Sequence, residues 1–179
     1  MVDTIHVITG NPDKVKAATR AFENTGIQLS RVDNRFREIQ AEDSMEVAKH
    51  TVRKMMEFFE EPVVREDHSL YLKGLEGIPG PYISYFDKNL PVETLLELLK
   101  GRSREGYFEI CAAVGYEGEI TEYSFKVPIR IANEPRGDKR NIDKVLMLKN
   151  GDNTFAESSS DNRTHIFNRN YRRIAKDFS

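Results

Sequence analysis

Two long β-type runs, Tyr107 to Tyr116 and Ile120 to Ile131, meet at Glu117-Gly118, and this pairing constrains the fold more than any other feature. A polar residue followed by glycine between two such runs is a hairpin signal, because the favoured two-residue turns need positive φ. The two runs are therefore expected to pair antiparallel. The N-terminal region reads differently. Ile5 to Thr9 is a short apolar run, Gly10 and Asn11 turn the chain, and Pro12 suits a first helical position with Asn11 as its N-cap. Val15, Ala18 and Phe22 then share one helical face, and Gly26 stops the helix. A strand-turn-helix unit belongs to α/β folds, whereas a hairpin demands antiparallel pairing. Together they predict a mixed α/β sheet with flanking helices.

The clearest helix has Met45, Ala48, Val52, Met55 and Phe59 stepping by three and four along one stripe. Asp43 with Glu46 resembles a capping box, and Pro62 ends the element. Val63 to Asp67 reads as the next strand, with Ser69 to Leu72 continuing it after a bend. Pro91 opens another helix carrying Val92, Leu95, Leu96 and Leu99, and Gly101 closes it. Arg169 to Phe178 reads as a short basic helix whose Arg169, Arg172, Arg173 and Lys176 form a solvated face. No repeat or linker-like stretch divides the 179 residues, so a single domain spanning 1–179 is expected.

Composition narrows the classes. A net charge of −2 gives no global field for nucleic acid or an anionic membrane. No window approaches the ~20 apolar residues of a membrane span. The first apolar run, interrupted by His6, is too short for a signal peptide. The single cysteine, Cys111, lies in an apolar run and reads as a small core residue. With no disulfide framework, a cytoplasmic location is expected.

Two sets of residues carry chemistry. In Thr9-Gly10-Asn11-Pro12-Asp13-Lys14 a glycine turn enters a helix, exposing backbone N–H groups and the positive end of the helix dipole. Lys14 opposes that dipole at a cost of a few tenths of a kcal/mol, which makes better sense if an anion sits there too. The second set is Glu38, Glu66 and Asp67. Mg²⁺ favours one or two carboxylates completed by substrate phosphate oxygens and water. Glu66 and Asp67, adjacent on a strand, are expected to point to opposite faces, so only one can meet a substrate.

The motifs ITGNPDK, REIQ at Arg37 to Gln40, and REDHSLYLKGLEGIPGPYISYF continue through EPRG at Glu134 to Gly137 and TFAE at Thr154 to Glu157. This set resembles the Ham1 or inosine triphosphatase family over nearly the whole chain. The resemblance implies an elongated mixed α/β fold with two lobes around a central cleft that takes the nucleotide. It implies a non-canonical purine nucleoside triphosphate pyrophosphatase that uses Mg²⁺ and works as a cytoplasmic homodimer. Residue by residue, it assigns Thr9, Gly10, Asn11 and Lys14 to phosphate binding and Glu38 to the metal. Asp67 falls to proton acceptance and metal binding.

The base-reading segments depart from the family pattern. Where the family has Gly-aromatic-Asp-Pro, this chain has Asn141, Ile142, Asp143 and Lys144, so only Asp143 is kept. Thr164 and His165 match the family's Ser-His, but Ile166 replaces its arginine. His68 follows Asp67 where a small hydroxyl residue is usual. His68 is either a phosphate or base contact or a cap at a strand bend, and His165 is either a base contact or structural. The expected activity is triphosphate hydrolysis with altered base preference, the alternative a nucleotide-binding or sensing homologue with weak hydrolysis.

Overall fold

A computed structural model of the chain describes residues 2–33, 39–139 and 141–179, with the backbone alone for 160–163. The strands, in chain order, are β1 Thr4–Ile8, β2 Gln28–Val32, β3 Val63–Leu72, β4 Pro79–Gly80, β5 Glu105–Tyr116, β6 Glu119–Ile131 and β7 Leu146–Leu148. The helices are α1 Pro12–Phe22, α2 Ser44–Met55, α3 Ile83–Asn89, α4 Val92–Leu98, α5 Ser160–Phe167 and α6 Arg169–Phe178. The sheet runs β2-β1-β3-β5-β6-β7, with β4 paired to β3. β1 lies parallel to β2 and β3, while β4 is antiparallel to β3 and β7 to β6. This is the mixed sheet with flanking helices that the sequence predicts. No helix among the described residues is long and apolar enough to cross a membrane.

The chain gathers into two compact units, each discontinuous in sequence. The first takes residues 1–67, 110–125 and 164–179, and the second takes 68–109 and 126–163.

In the first unit both faces of the sheet are covered. Ile5 and Val7 of β1 and Val64 of β3 pack with Ala17, Ala18 and Phe22 of α1 and with Tyr171, Ile174 and Ala175 of α6. Ile8 and Val63 join Ala48, Val52 and Met55 of α2 in a second cluster. Strand alternation explains the division, since successive side chains leave opposite faces. With both faces covered, Ile5, Val7 and Ile8 of β1 are all buried whichever face they leave. Asn11 caps α1 by accepting from Asp13 N at 2.9 Å, and Asp43 caps α2 by accepting from Glu46 N at 2.9 Å.

α2 is shorter than its apolar stripe. Beyond Met55 the chain tightens, with Glu57 N bonded to Lys54 O and Phe58 N to Met55 O. Phe59 thus leaves the helix and packs its ring 4.1 Å from the His6 ring. β3 corrects a second expectation: it runs unbroken from Val63 to Leu72, so His68 caps no bend. Pairing of Leu70 and Tyr71 with Gly80 and Pro79 keeps the far end of the strand extended.

The second unit is built on Leu70, Leu72, Leu95, Leu99, Phe108, Ile129, Ile142, Leu146 and Phe155, all buried. Phe108 and Phe155 stack with centroids 6.0 Å apart. Asn141 ties its own segment to the α3–α4 joint. Its Oδ1 accepts from Val92 N at 3.1 Å, and its Nδ2 donates to Leu90 O at 2.7 Å and Asp87 O at 3.2 Å. Asp87 Oδ1 in turn accepts from Ile142 N at 2.8 Å.

Candidate active site

The parallel strands β2, β1 and β3 end on the same side, where ligands of α/β sheets are commonly held. The chain leaves β1 through Thr9, Gly10 and Asn11 and enters α1. Thr9 extends the β1–β2 ladder by donating from N to Val32 O at 3.0 Å, and its buried Oγ1 accepts from Asn11 N at 3.1 Å. The loop is thus shaped by its own side chains, Thr9 fixing Asn11 and Asn11 fixing Asp13. Gly10 sits in open space, for a Cβ there would meet nothing within 4 Å. Neither packing nor a positive φ requires glycine at this position. Its effect is to leave the backbone unobstructed toward solvent.

Lys14 reaches from the first turn of α1 to the middle of β3. Its Nζ donates to Glu66 O at 2.6 Å and stands 3.9 Å from Asp67 Oδ1. This contact accounts for a cation in the first turn of a helix: the ammonium is drawn to oxygens of the neighbouring strand. Glu66 and Asp67 divide as strand geometry dictates. Glu66 is buried at 1% exposure, whereas the Asp67 side chain keeps 23%. Glu66 shares its strand face with Val64, the face packed by Tyr171. Burial holds the Tyr171 phenol well above the usual tyrosine range; the Glu66 carboxylate adds to this and Arg65 offsets it.

The first unit therefore brings together Thr9, Gly10, Asn11, Lys14 and Asp67. His165 belongs to the same unit, exposed on α5 beside a buried Thr164. His68 and Asp143 belong to the second unit, and Asp143 is buried at 2% exposure in the 142–144 turn. Glu38 lies outside the described residues. Among the described residues no cluster of three or more His, Cys, Asp or Glu could hold a metal ion. The partly open Asp67 carboxylate leaves room for a divalent cation that would complete its shell with substrate phosphate oxygens and water.

Sequence reasoning passed over two residues of this region, Arg31 and Arg65. Arg65 Nη1 donates to Ile8 O at 3.0 Å, and Arg31 Nε donates to Thr9 O at 3.3 Å. A charged residue directly after the β-branched pair Val63-Val64 was the available signal for Arg65.

The Ham1 family model matches residues 5–171. A relative from Thermococcus kodakarensis, named dITP/XTP pyrophosphatase, is 30% identical over 164 residues, covering 90% of this chain and 89% of the relative. One of the same name from Ignicoccus hospitalis is 32% identical over 182 residues, covering 98% of this chain and 96% of its own. Among solved structures, a HAM1 protein from Coxiella burnetii superposes with a TM-score of 0.82 at 18% identity, covering 99% of this chain and 98% of that one. The Staphylococcus aureus Ham1 protein gives 0.77 at 19% identity, covering 98% and 97%. At those identities the structural likeness concerns the fold.

Proposed function

Because the chain belongs to the Ham1 family, we propose that it is a nucleoside triphosphate pyrophosphatase, a hydrolase acting on an acid anhydride. The observation that carries this reading is the placement of Lys14 against the Asp67 end of β3, beside the capped loop from Thr9 to Asn11. A loop at a helix N-terminus and a lysine suit a polyphosphate, and an adjacent, partly open carboxylate suits proton transfer.

In this reading Lys14 and the loop hold the triphosphate, and Asp67 accepts a proton from the attacking water. The water oxygen bonds to the α-phosphorus, and the bond from that phosphorus to the α,β-bridging oxygen breaks. Pyrophosphate leaves with the bonding electron pair, and a nucleoside monophosphate remains. A Mg²⁺ ion held by Asp67 and Glu38 with phosphate oxygens would neutralise the polyphosphate and favour loss of the water proton.

The base preference is read as altered. Asn141 is engaged by the α3–α4 joint and Ile142 is 2% exposed, so this segment offers no aromatic surface for stacking. Base–aromatic stacking is worth ~1–3 kcal/mol in single-strand binders, enough to shift a preference if lost. A cytoplasmic homodimer completes the reading, on the resemblance alone. The same departures favour the second reading, a nucleotide sensor with weak hydrolysis.

The deciding experiment measures pyrophosphate release over a panel of purine and pyrimidine triphosphates, with Mg²⁺ and with EDTA. Release from at least one triphosphate, lost in EDTA, is expected. Binding without turnover of any member would establish the sensor instead.

A further inference from the structure

The last carbonyl of β1 and the one that follows it both accept from guanidinium groups, and these come from opposite neighbours. Arg65 of β3 bonds Ile8 O from one side, and Arg31 of β2 bonds Thr9 O from the other. Arg65 is nearly enclosed, at 7% exposure. Arg31 is half exposed and is itself steadied by Asp33 Oδ1, which accepts from Nε at 3.2 Å and Nη2 at 2.8 Å.

Burying an arginine costs several kcal/mol unless its surroundings return the loss, and an apolar side chain would fill the same strand position without that penalty. Packing therefore does not explain Arg65. Its location does. Val63, Arg65 and Asp67 follow one another on a single face of β3, so the guanidinium lies one step along that face from the candidate proton acceptor. Lys14 and Arg65 also bridge in opposite directions. Lys14 runs from α1 to the backbone of β3, and Arg65 runs from β3 to the backbone of β1. Each bond is charge-assisted, the stronger class of hydrogen bond.

Carbonyl oxygens beside a triphosphate would repel it. We propose that Arg65 and Arg31 are positioning residues that clamp the Ile8 and Thr9 carbonyls, neutralising them and fixing the Thr9–Asn11 loop relative to Asp67. The proposal rests on the triphosphate reading of this site. Neither arginine touches the substrate. They act through the loop, whose pre-set geometry matters most as charge builds on the departing pyrophosphate. A misplacement of about 1 Å at such a site can lower the rate about a hundredfold.

The test compares Arg65→Met, Arg65→Lys and Arg31→Met with the unaltered protein. It uses steady-state kinetics on the best triphosphate of the panel, thermal unfolding, and calorimetric binding of pyrophosphate. Arg65→Met is expected to lower kcat about ten- to hundredfold with KM changed less than about threefold, and to weaken pyrophosphate binding, while its unfolding midpoint is retained. Arg65→Lys, which keeps the charge without the planar fork, is expected to recover part of kcat. Arg31→Met is expected to lose a few-fold, since its guanidinium is more solvated. Unaltered kcat in folded Arg65→Met, or a kcat loss that only follows a lowered unfolding midpoint, overturns the clamp. If Arg65→Met does not fold, unaltered kcat in both Arg65→Lys and Arg31→Met overturns it equally. If the unaltered protein hydrolyses no triphosphate, the functional reading fails, and pyrophosphate binding by the variants alone decides the clamp.

Discussion

Glu66 and Asp67 are consecutive in β3, yet one carboxylate is sealed against the α6 side of the sheet and the other stands partly open beside Lys14. The pleat makes this division unavoidable, because neighbouring strand residues leave opposite faces. It gives the two acids different surroundings: Asp67 stays partly open beside Lys14, and Glu66 belongs to the interior.

The first prediction follows from that division. Asp67→Asn is expected to slow pyrophosphate release by about 10²–10⁴, the usual worth of a positioned general base, while the unfolding midpoint hardly moves. Glu66→Ala, which empties a buried polar site, is expected to lower stability by about 1–3 kcal/mol. Kinetics and thermal unfolding on both variants check the pair. Near-normal turnover in Asp67→Asn removes that residue from the mechanism.

Asn141 supplies a stability prediction in the second unit. Its side chain caps the start of α4 at Val92 N and holds the Leu90 and Asp87 carbonyls. Asn141→Ala is expected to cost about 1–2 kcal/mol, the range for a lost cap. Chemical denaturation measures it, and a loss below a few tenths of a kcal/mol would show that the contacts contribute nothing net.

Gly115 tests the packing of β5 against α2. A Cβ there would press into Val52 Cγ1 and Met56 Sδ. The methionine can yield, but Val52 is β-branched and held in the helix. Gly115→Ala is therefore expected to destabilise the protein by about 1–3 kcal/mol. A shortened side chain at Val52 should relieve the strain, and failure of Val52→Ala to do so in a double-mutant cycle would refute the clash.

Glu105 gives a pH dependence. Hydrogen bonds and ion pairs from Lys73 and Lys149 lower its carboxyl to about 2 from an ordinary 4.5. A depressed acid favours the folded state above its unfolded value and loses that contribution as pH falls through the folded one. The window is therefore pH 4.5 down to about 2, and the effect is small because the group is exposed and screened by salt. Glu105→Gln is expected to flatten the stability–pH curve in that window at low ionic strength. An unchanged slope in acid unfolding would show that the lysines do not hold the carboxylate in solution.

Much of the fold was legible because it rests on local rules. Asn11 before Pro12 and Asp43 before the Met45 stripe cap their helices as read. Glu117 and Gly118 turn the hairpin with φ of 49° and 82°, both positive as the two-residue turn requires. Less was legible where partners are distant in the chain. α2 stops at Met55 although its stripe runs on, because Phe59 finds the His6 ring of β1. β2, with no residue fully buried and Leu29, Ser30 and Val32 only partly covered, carries too weak an alternation to be read as a strand by itself.

The sequence by itself determined that strand and helix alternate around a hairpin and where α1 and α2 are capped, since capping, turn conformation and strand pleat act within a few residues. It also separated Glu66 from Asp67 through the pleat alone. Only the tertiary structure decided what each group faces. It set Lys14 on the Glu66 carbonyl, brought Arg31 and Arg65 to the end of β1 from either side, and enclosed Tyr171 near Glu66. Those contacts join residues 22 to more than a hundred positions apart. Such pairings are settled by sheet order and burial, which no local pattern encodes.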